Sequence, residues 1–302
     1  MQLLARDAVH PSIALEADMP APKALAVGTV KGFMADECLS RSAAVAYYTL
    51  FSVAPLVIIA TAIAGFFFGD EAARGEVTAQ LEGTLGRQAA EAVQGIVQNA
   101  SDAGSGTVAT IIGVATLLLA ASGVFGELQS ALNAIWKTKT PDEQGTVSRF
   151  VRAKAAAIGL VAALGFLLLA SLLVSAALKA LGSWAGGLLP GFEVLLHVIE
   201  LVVSIGILTV LFSAIYKVLP DRPIAWRDTL IGAFATALLF SIGKTAIGIY
   251  IGSSSIATSY GAAGALVIVL VWVNYSAIIF FLGAEFTRAW SEQAGRTESR
   301  FE

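Results

Sequence analysis

Six long apolar stretches confine this chain to a membrane-spanning fold. A spanning helix needs ~20 mostly apolar residues to cross ~30 Å of hydrocarbon. Stretches of that length run over Ala43–Phe68, Thr107–Phe125, Ala155–Leu181, Phe192–Ile215, Thr229–Gly252 and Ala262–Phe286. The Gly and Pro residues inside them do not argue against helix, because membrane helices tolerate both. Charged residues make up only 14% of the 302 and hydrophobic ones 57%, too few charges to cover a water-facing surface. A soluble globular enzyme and a disordered chain are thereby excluded. The expected fold is an all-α, polytopic bundle of six transmembrane helices with an amphipathic helical outer loop.

Lys and Arg orient the bundle. Fifteen of the 19 lie on the side of the N-terminus, counting Arg41, Lys137, Lys217, Arg227 and Arg288 among them, and three lie on the other side. The N-terminal side is therefore expected to be cytoplasmic, with both termini inside, as an even number of crossings requires. Trp136, Tyr216, Trp226 and Trp290 at the inner ends, and Phe66, Trp184, Tyr250 and Tyr260 at the outer ends, form the aromatic belts of the headgroup level. Residues 1–23 read as a disordered cytoplasmic tail, 24–41 as an interfacial helix, 42–290 as the membrane domain and 291–302 as a second cytoplasmic tail. The outer loop, 69–106, has Val77, Leu81, Leu85, Ala89, Val93 and Ile96 recurring every three or four residues. It is either a cap on the outer ends of the bundle or a docking surface.

Ionisable and hydroxyl groups inside the spans are costly there and are the candidates for function. Lys244 in the fifth span and Glu200 in the fourth fall at about the same depth on antiparallel neighbours, with His197 one turn from Glu200. An ion pair between them is expected, either locking two helices or lining a substrate or proton path. In the first span Tyr48, Ser52 and Pro55 share a face beside Tyr47, and Pro55 leaves the Phe51 carbonyl without its helical donor. This group is a structural kink or the wall of a cavity. Asn274 and Tyr275 stand near mid-depth in the sixth span. Arg41, Glu127 and Glu285 fall together at the inner ends, as an inner-leaflet charge cluster or as side chains snorkelling to the headgroups. Gly248–Gly252 and Gly261–Gly264 have the spacing for close backbone approach.

No cofactor, metal site or enzyme activity is expected. The chain lacks Walker A, HExxH and CxxC patterns, and its one cysteine, Cys38, excludes an intrachain disulfide. The loop carboxylates Asp142, Glu143, Asp221 and Asp228 have no histidine beside them, so a metal-dependent nuclease has little to work with. A net charge of −3 gives no reason to expect nucleic acid as a partner.

Ala43–Pro55, with Tyr47-Tyr48-Thr49-Leu50-Phe51-Ser52 at its centre, resembles the first-helix signature of the YihY/BrkB family of bacterial inner-membrane proteins. Asn133-Ala134-Ile135-Trp136, Tyr216-Lys217-Val218-Leu219-Pro220-Asp221, Tyr260-Gly261-Ala262-Ala263-Gly264 and Gly283-Ala284-Glu285 resemble it in the same order. The resemblance implies a six-helix inner-membrane protein with no assigned catalytic residue. Some members carry a ribonuclease BN label, others are linked to serum resistance as virulence factors, and lipid movement across the inner membrane has been proposed. Together these readings give a transporter or flippase for a lipid or other amphipathic envelope molecule. The alternative is a non-transporting scaffold that docks an envelope partner through the outer loop, and a membrane-bound ribonuclease comes last. Expected partners are membrane lipids, a periplasmic or membrane protein, or a second copy of the chain.

Overall fold

The computed structural model describes residues 22–52, 75, 82, 87, 90–95, 122–138, 192–253 and 263–295. Among these, all regular structure is helical. Four helices carry the architecture: α1 (Pro22–Ala35), α2 (Phe192–Val218), α3 (Trp226–Ser253) and α4 (Gly264–Gln293). Further helical segments cover 38–52, 90–95 and 122–135. Among the described residues, three helices are long and apolar enough to cross a membrane: Val198–Val218, Trp226–Ser253 and Leu266–Gln293. These correspond to the fourth, fifth and sixth expected spans. The third expected span lies outside the described residues, as do most of the first and second, Pro55, Gly261 and the tail before residue 22.

Helix is the only way these segments satisfy their backbone in hydrocarbon, since nothing there replaces water. Hydroxyl residues follow the same rule. Thr209, Thr236, Ser241, Ser276 and Thr287 each donate to the carbonyl four residues back, at 2.6–2.9 Å. Pro220 and Pro223 prevent α2 from continuing, and the chain re-enters helix at Trp226 with Asp228 in the first turn of α3.

α3 packs between α2 and α4, and α1 packs on α4. The α3–α4 contact is a reciprocal interlock of two Gly-x-x-x-Thr steps. A Cβ on Gly232 would stand 1.7 Å from Thr287 Oγ1, and one on Gly283 would stand 1.9 Å from Thr236 Oγ1. Each glycine thus leaves room for the other helix's threonine, whose own hydroxyl is already spent on its helix. Tyr216 of α2, fully buried, ties in the third helix: its hydroxyl donates to the Phe280 carbonyl at 2.7 Å and lies 3.1 Å from Thr236 Oγ1. Phe212, Phe240, Phe280 and Phe281 fill the space around it, with ring centroids 5.1–6.4 Å apart.

Close approach was expected at Gly248, but a Cβ there would meet nothing within 4 Å among the described residues. Spacing alone does not say which side of a helix meets a neighbour. From the outer loop, Ala92 and Val93 pack against Ile247 and Ile251 of α3 and Ile268, Val269 and Trp272 of α4. That segment therefore uses its apolar face on the chain itself and leaves Arg87 and Glu91 exposed.

Gly283→Val and Gly232→Val are expected to lower the thermal unfolding midpoint in detergent, by overpacking worth about 1–3 kcal/mol each. Gly248→Ala should leave it unchanged, and tryptophan fluorescence on heating compares the three.

Candidate functional site at the polar end of the bundle

The charged side chains gather at one end of the described bundle, where five segments meet. α1 ends at Ala35, and Asp36 and Glu37 form a turn, with Glu37 in the left-handed region at φ 54°. The Asp36 N–H still donates to the Gly32 carbonyl at 2.9 Å, and helix resumes at residue 38. Cys38, next in the chain, is fully buried. Arg41 then reaches in two directions. Its Nε donates to the Asp36 carbonyl at 3.0 Å, and its Nη1 donates to Glu127 Oε1 and Ser130 Oγ, both at 3.3 Å. One guanidinium therefore caps α1 and ties it to the 122–135 helix.

That helix ends in a left-handed residue that is not glycine. Lys137 has φ 49°, its N–H donates to the Ala134 carbonyl at 3.0 Å, and the Thr138 N–H donates to the Asn133 carbonyl at 2.9 Å. This is the Schellman closure, which usually falls on glycine. A lysine there places its ammonium on Asp36 Oδ1. Asn133 grips the α2–α3 connection from both sides: its Nδ2 donates to Asp221 Oδ2 at 2.7 Å, and its Oδ1 accepts the Asp221 N–H at 2.9 Å. Gln129 Nε2 donates to the other Asp221 oxygen at 3.2 Å, and Arg222 donates to the Trp136 carbonyl at 3.0 Å. Within the same connection Lys217 donates to the Ile224 carbonyl and stands 5.4 Å from the centroid of the Trp226 ring.

Glu285 of α4 is fully enclosed. Its side chain has 0% exposure, and its Oε2 accepts from Arg288 Nε and Nη2 at 3.1 and 2.9 Å. Arg288 Nη1 donates onward to Glu292 at 3.1 Å. Gly32 of α1 lies against this pair, since a Cβ there would be 2.2 Å from Glu285 Oε2 and 2.4 Å from Arg288 Nη2. A second α3–α4 contact, Ser291 Oγ donating to Asp228 Oδ2 at 3.0 Å, is buried nearby.

Of the expected charge cluster, Arg41 and Glu127 form an ion pair, whereas Glu285 pairs with Arg288 instead. Asp36, Lys137 and Arg288 were not singled out, because each reads in sequence as a surface charge of a loop or tail. The i, i+3 spacing of Glu285 and Arg288 was the available signal. Elsewhere, Glu200 is exposed and Lys244 half-buried, and no ion pair among the described residues joins them. His197 lies on α2, but its side chain is outside the described residues. Exposed Tyr47 makes edge contacts with Tyr48 and Phe51, and Tyr48 covers Gly123. Ser52, buried, donates to the Thr49 carbonyl at 3.0 Å. Asn274 Oδ1 is buried without a donor, and half-buried Tyr275 lies beside Gly243.

A buried apolar junction of three long helices, closed at one end by cross-linked charges, defines a helical integral membrane protein. The chain belongs to the BrkB virulence-factor family, whose profile matches residues 29–301. It is similar to a UPF0761 membrane protein of Pseudoalteromonas atlantica, 29% identical over 245 residues that make up 80% of this chain and 77% of the relative. It is also similar to the UPF0761 membrane protein YihY of Salmonella typhimurium, 33% identical over 180 residues, 59% of this chain and 58% of the relative. A relative in Alcanivorax borkumensis is 27% identical over 289 residues, 93% of this chain and 63% of its own length. The chain thus spans less than two thirds of the length of the last two. No solved structure matches.

Burial, followed by the negative charges of Glu285 and Asp36, pushes the Cys38 thiol from 9.0 up to about 12. Alkylation needs the thiolate, so at pH 8 native Cys38 should react ~1000-fold more slowly than in the denatured chain. Mass spectrometry of the protein's one cysteine reads that ratio directly.

Proposed function

We propose that this protein moves a lipid or other amphipathic envelope molecule across the bacterial inner membrane, as a transporter or flippase without a covalent reaction of its own. The observation that carries the reading is Glu200. It stands ~12 Å into α2 at 1.5 Å per residue, exposed and flanked by exposed Val198, Ile199, Leu201 and Val202. A carboxylate facing bare hydrocarbon at that depth is costly, so its surroundings must be polar when it is ionised. A headgroup passing along α2 supplies such surroundings while its tails remain in lipid. Lys244, at comparable depth on α3, adds the opposite charge to the same region, and Asn274 on α4 offers a buried oxygen in search of a donor.

The tight junction of Tyr216, Thr236 and Gly283 argues against a route between α3 and α4 at the polar end. The path we favour runs along the opposite half of α2 and α3. The excess of Lys and Arg on the N-terminal side supports a cytoplasmic placement for both termini.

Proteoliposomes with fluorescent phospholipid reporters and a dithionite quench test the proposal. Protein-dependent movement that slows at least tenfold in Glu200→Leu and Lys244→Met is the expected outcome. No movement from protein whose Cys38 stays protected would sink passive lipid transfer. It would favour the scaffold reading, in which Arg87→Ala and Glu91→Ala, exposed on the outer segment, abolish function instead.

A further inference from the structure

Asp36 and Glu285 meet where α1 crosses α4, and their chemistry is incomplete as carboxylates. Gly32 lies against the Glu285 carboxyl, a Cβ there standing 2.2 Å from Oε2, and Asp36 follows Gly32 one helical turn later on the same side, its N–H donating to the Gly32 carbonyl at 2.9 Å. Their side chains are only 7% and 0% exposed. Asp36 Oδ1 takes the Lys137 ammonium and Glu285 Oε2 takes the Arg288 guanidinium. The remaining oxygens, Asp36 Oδ2 and Glu285 Oε1, are buried with no donor. Two acceptors cannot hydrogen-bond each other, and buried like charges at contact repel strongly.

We propose that Asp36 and Glu285 form a proton-binding site, holding one proton between them as a carboxylic acid–carboxylate pair that clamps α1 to α4. Local charge points the same way. Lys137 comes from the end of the 122–135 helix, and Arg288 from α4 with Glu292 behind it. Cys38, a neutral thiol, and Arg41, already matched by Glu127, come from the 38–52 helix. Three carboxylates then face two cations, and one bound proton cancels the excess. Lys137 and Glu37, beside this site, are the two described non-glycine residues with positive φ. Such backbone, unfavourable for a residue with a Cβ, persists where the surroundings demand it. At Lys137 it sets the ammonium on Asp36.

Infrared spectroscopy of the full chain in nanodiscs tests the site. At pH 7 a protonated-carboxyl band sensitive to exchange into D2O is expected. It should vanish in Asp36→Asn and in Glu285→Gln and survive in Asp228→Asn, which removes the other buried carboxyl of this end. Absence of the band in the unsubstituted protein, or its persistence in both Asp36→Asn and Glu285→Gln, would overturn the proposal. Should those two variants misfold, as read by loss of Cys38 protection, Lys137→Met removes only a half-exposed cation. It should raise the pH at which the band disappears, because the lost ammonium favoured the ionised form. An unmoved midpoint also counts against the shared proton.

Discussion

The α3–α4 interlock is the constraint on which the rest of the described bundle depends. In lipid, apolar side chains gain little by meeting one another, so association must come from close packing and buried hydrogen bonds. Gly232 and Gly283 supply the closeness, and Thr236 and Thr287 fill it while their hydroxyls bond within their own helices. Tyr216 extends the arrangement to α2 by donating to the Phe280 carbonyl. No larger residue at either glycine leaves the threonine opposite its place.

From that junction toward the polar end, apolar packing gives way to hydrogen bonds that cross between segments distant in sequence. Asn133 with Asp221, Arg41 with Glu127, and Lys137 with Asp36 join residues 86 to 101 positions apart. Each is a contact to or between charged groups, the class that contributes most when shielded from water. The Asn133-Ala134-Ile135-Trp136 and Pro220-Asp221 motifs thereby acquire a structural purpose. One clasps the other and fixes the α2–α3 connection. The opposite half of α2 has no comparable network among the described residues, and its exposed apolar surface carries Glu200.

Much of this was legible in the sequence. Hydropathy located α2, α3 and the start of α4 to within a few residues and ended α4 about two turns early, because crossing a membrane demands a long apolar run and the polar end of α4 lies beyond it. Arg41 and Glu127 were placed together because both fall at helix ends on one side. The stretch read as an interfacial helix contains α1, which packs on α4 with Gly28 beside Ala289 and Gly32 against Glu285. The close approach expected at Gly248 is not found there, and the partners of Glu285 were missed, since both depend on how helices are rotated about their axes.

The sequence by itself determined that this is a helical membrane protein of its family and where its longest helices run. These follow from local apolar length and motif order, which one segment carries alone. Only the tertiary structure decided which polar groups meet: Asp36 with Glu285, Asn133 with Asp221, Tyr216 with the Phe280 carbonyl. The physical reason is that an apolar helix is nearly the same on every side, so hydropathy does not set its rotation. Steric fit at a few glycines does, and that rotation brings one carboxylate to another.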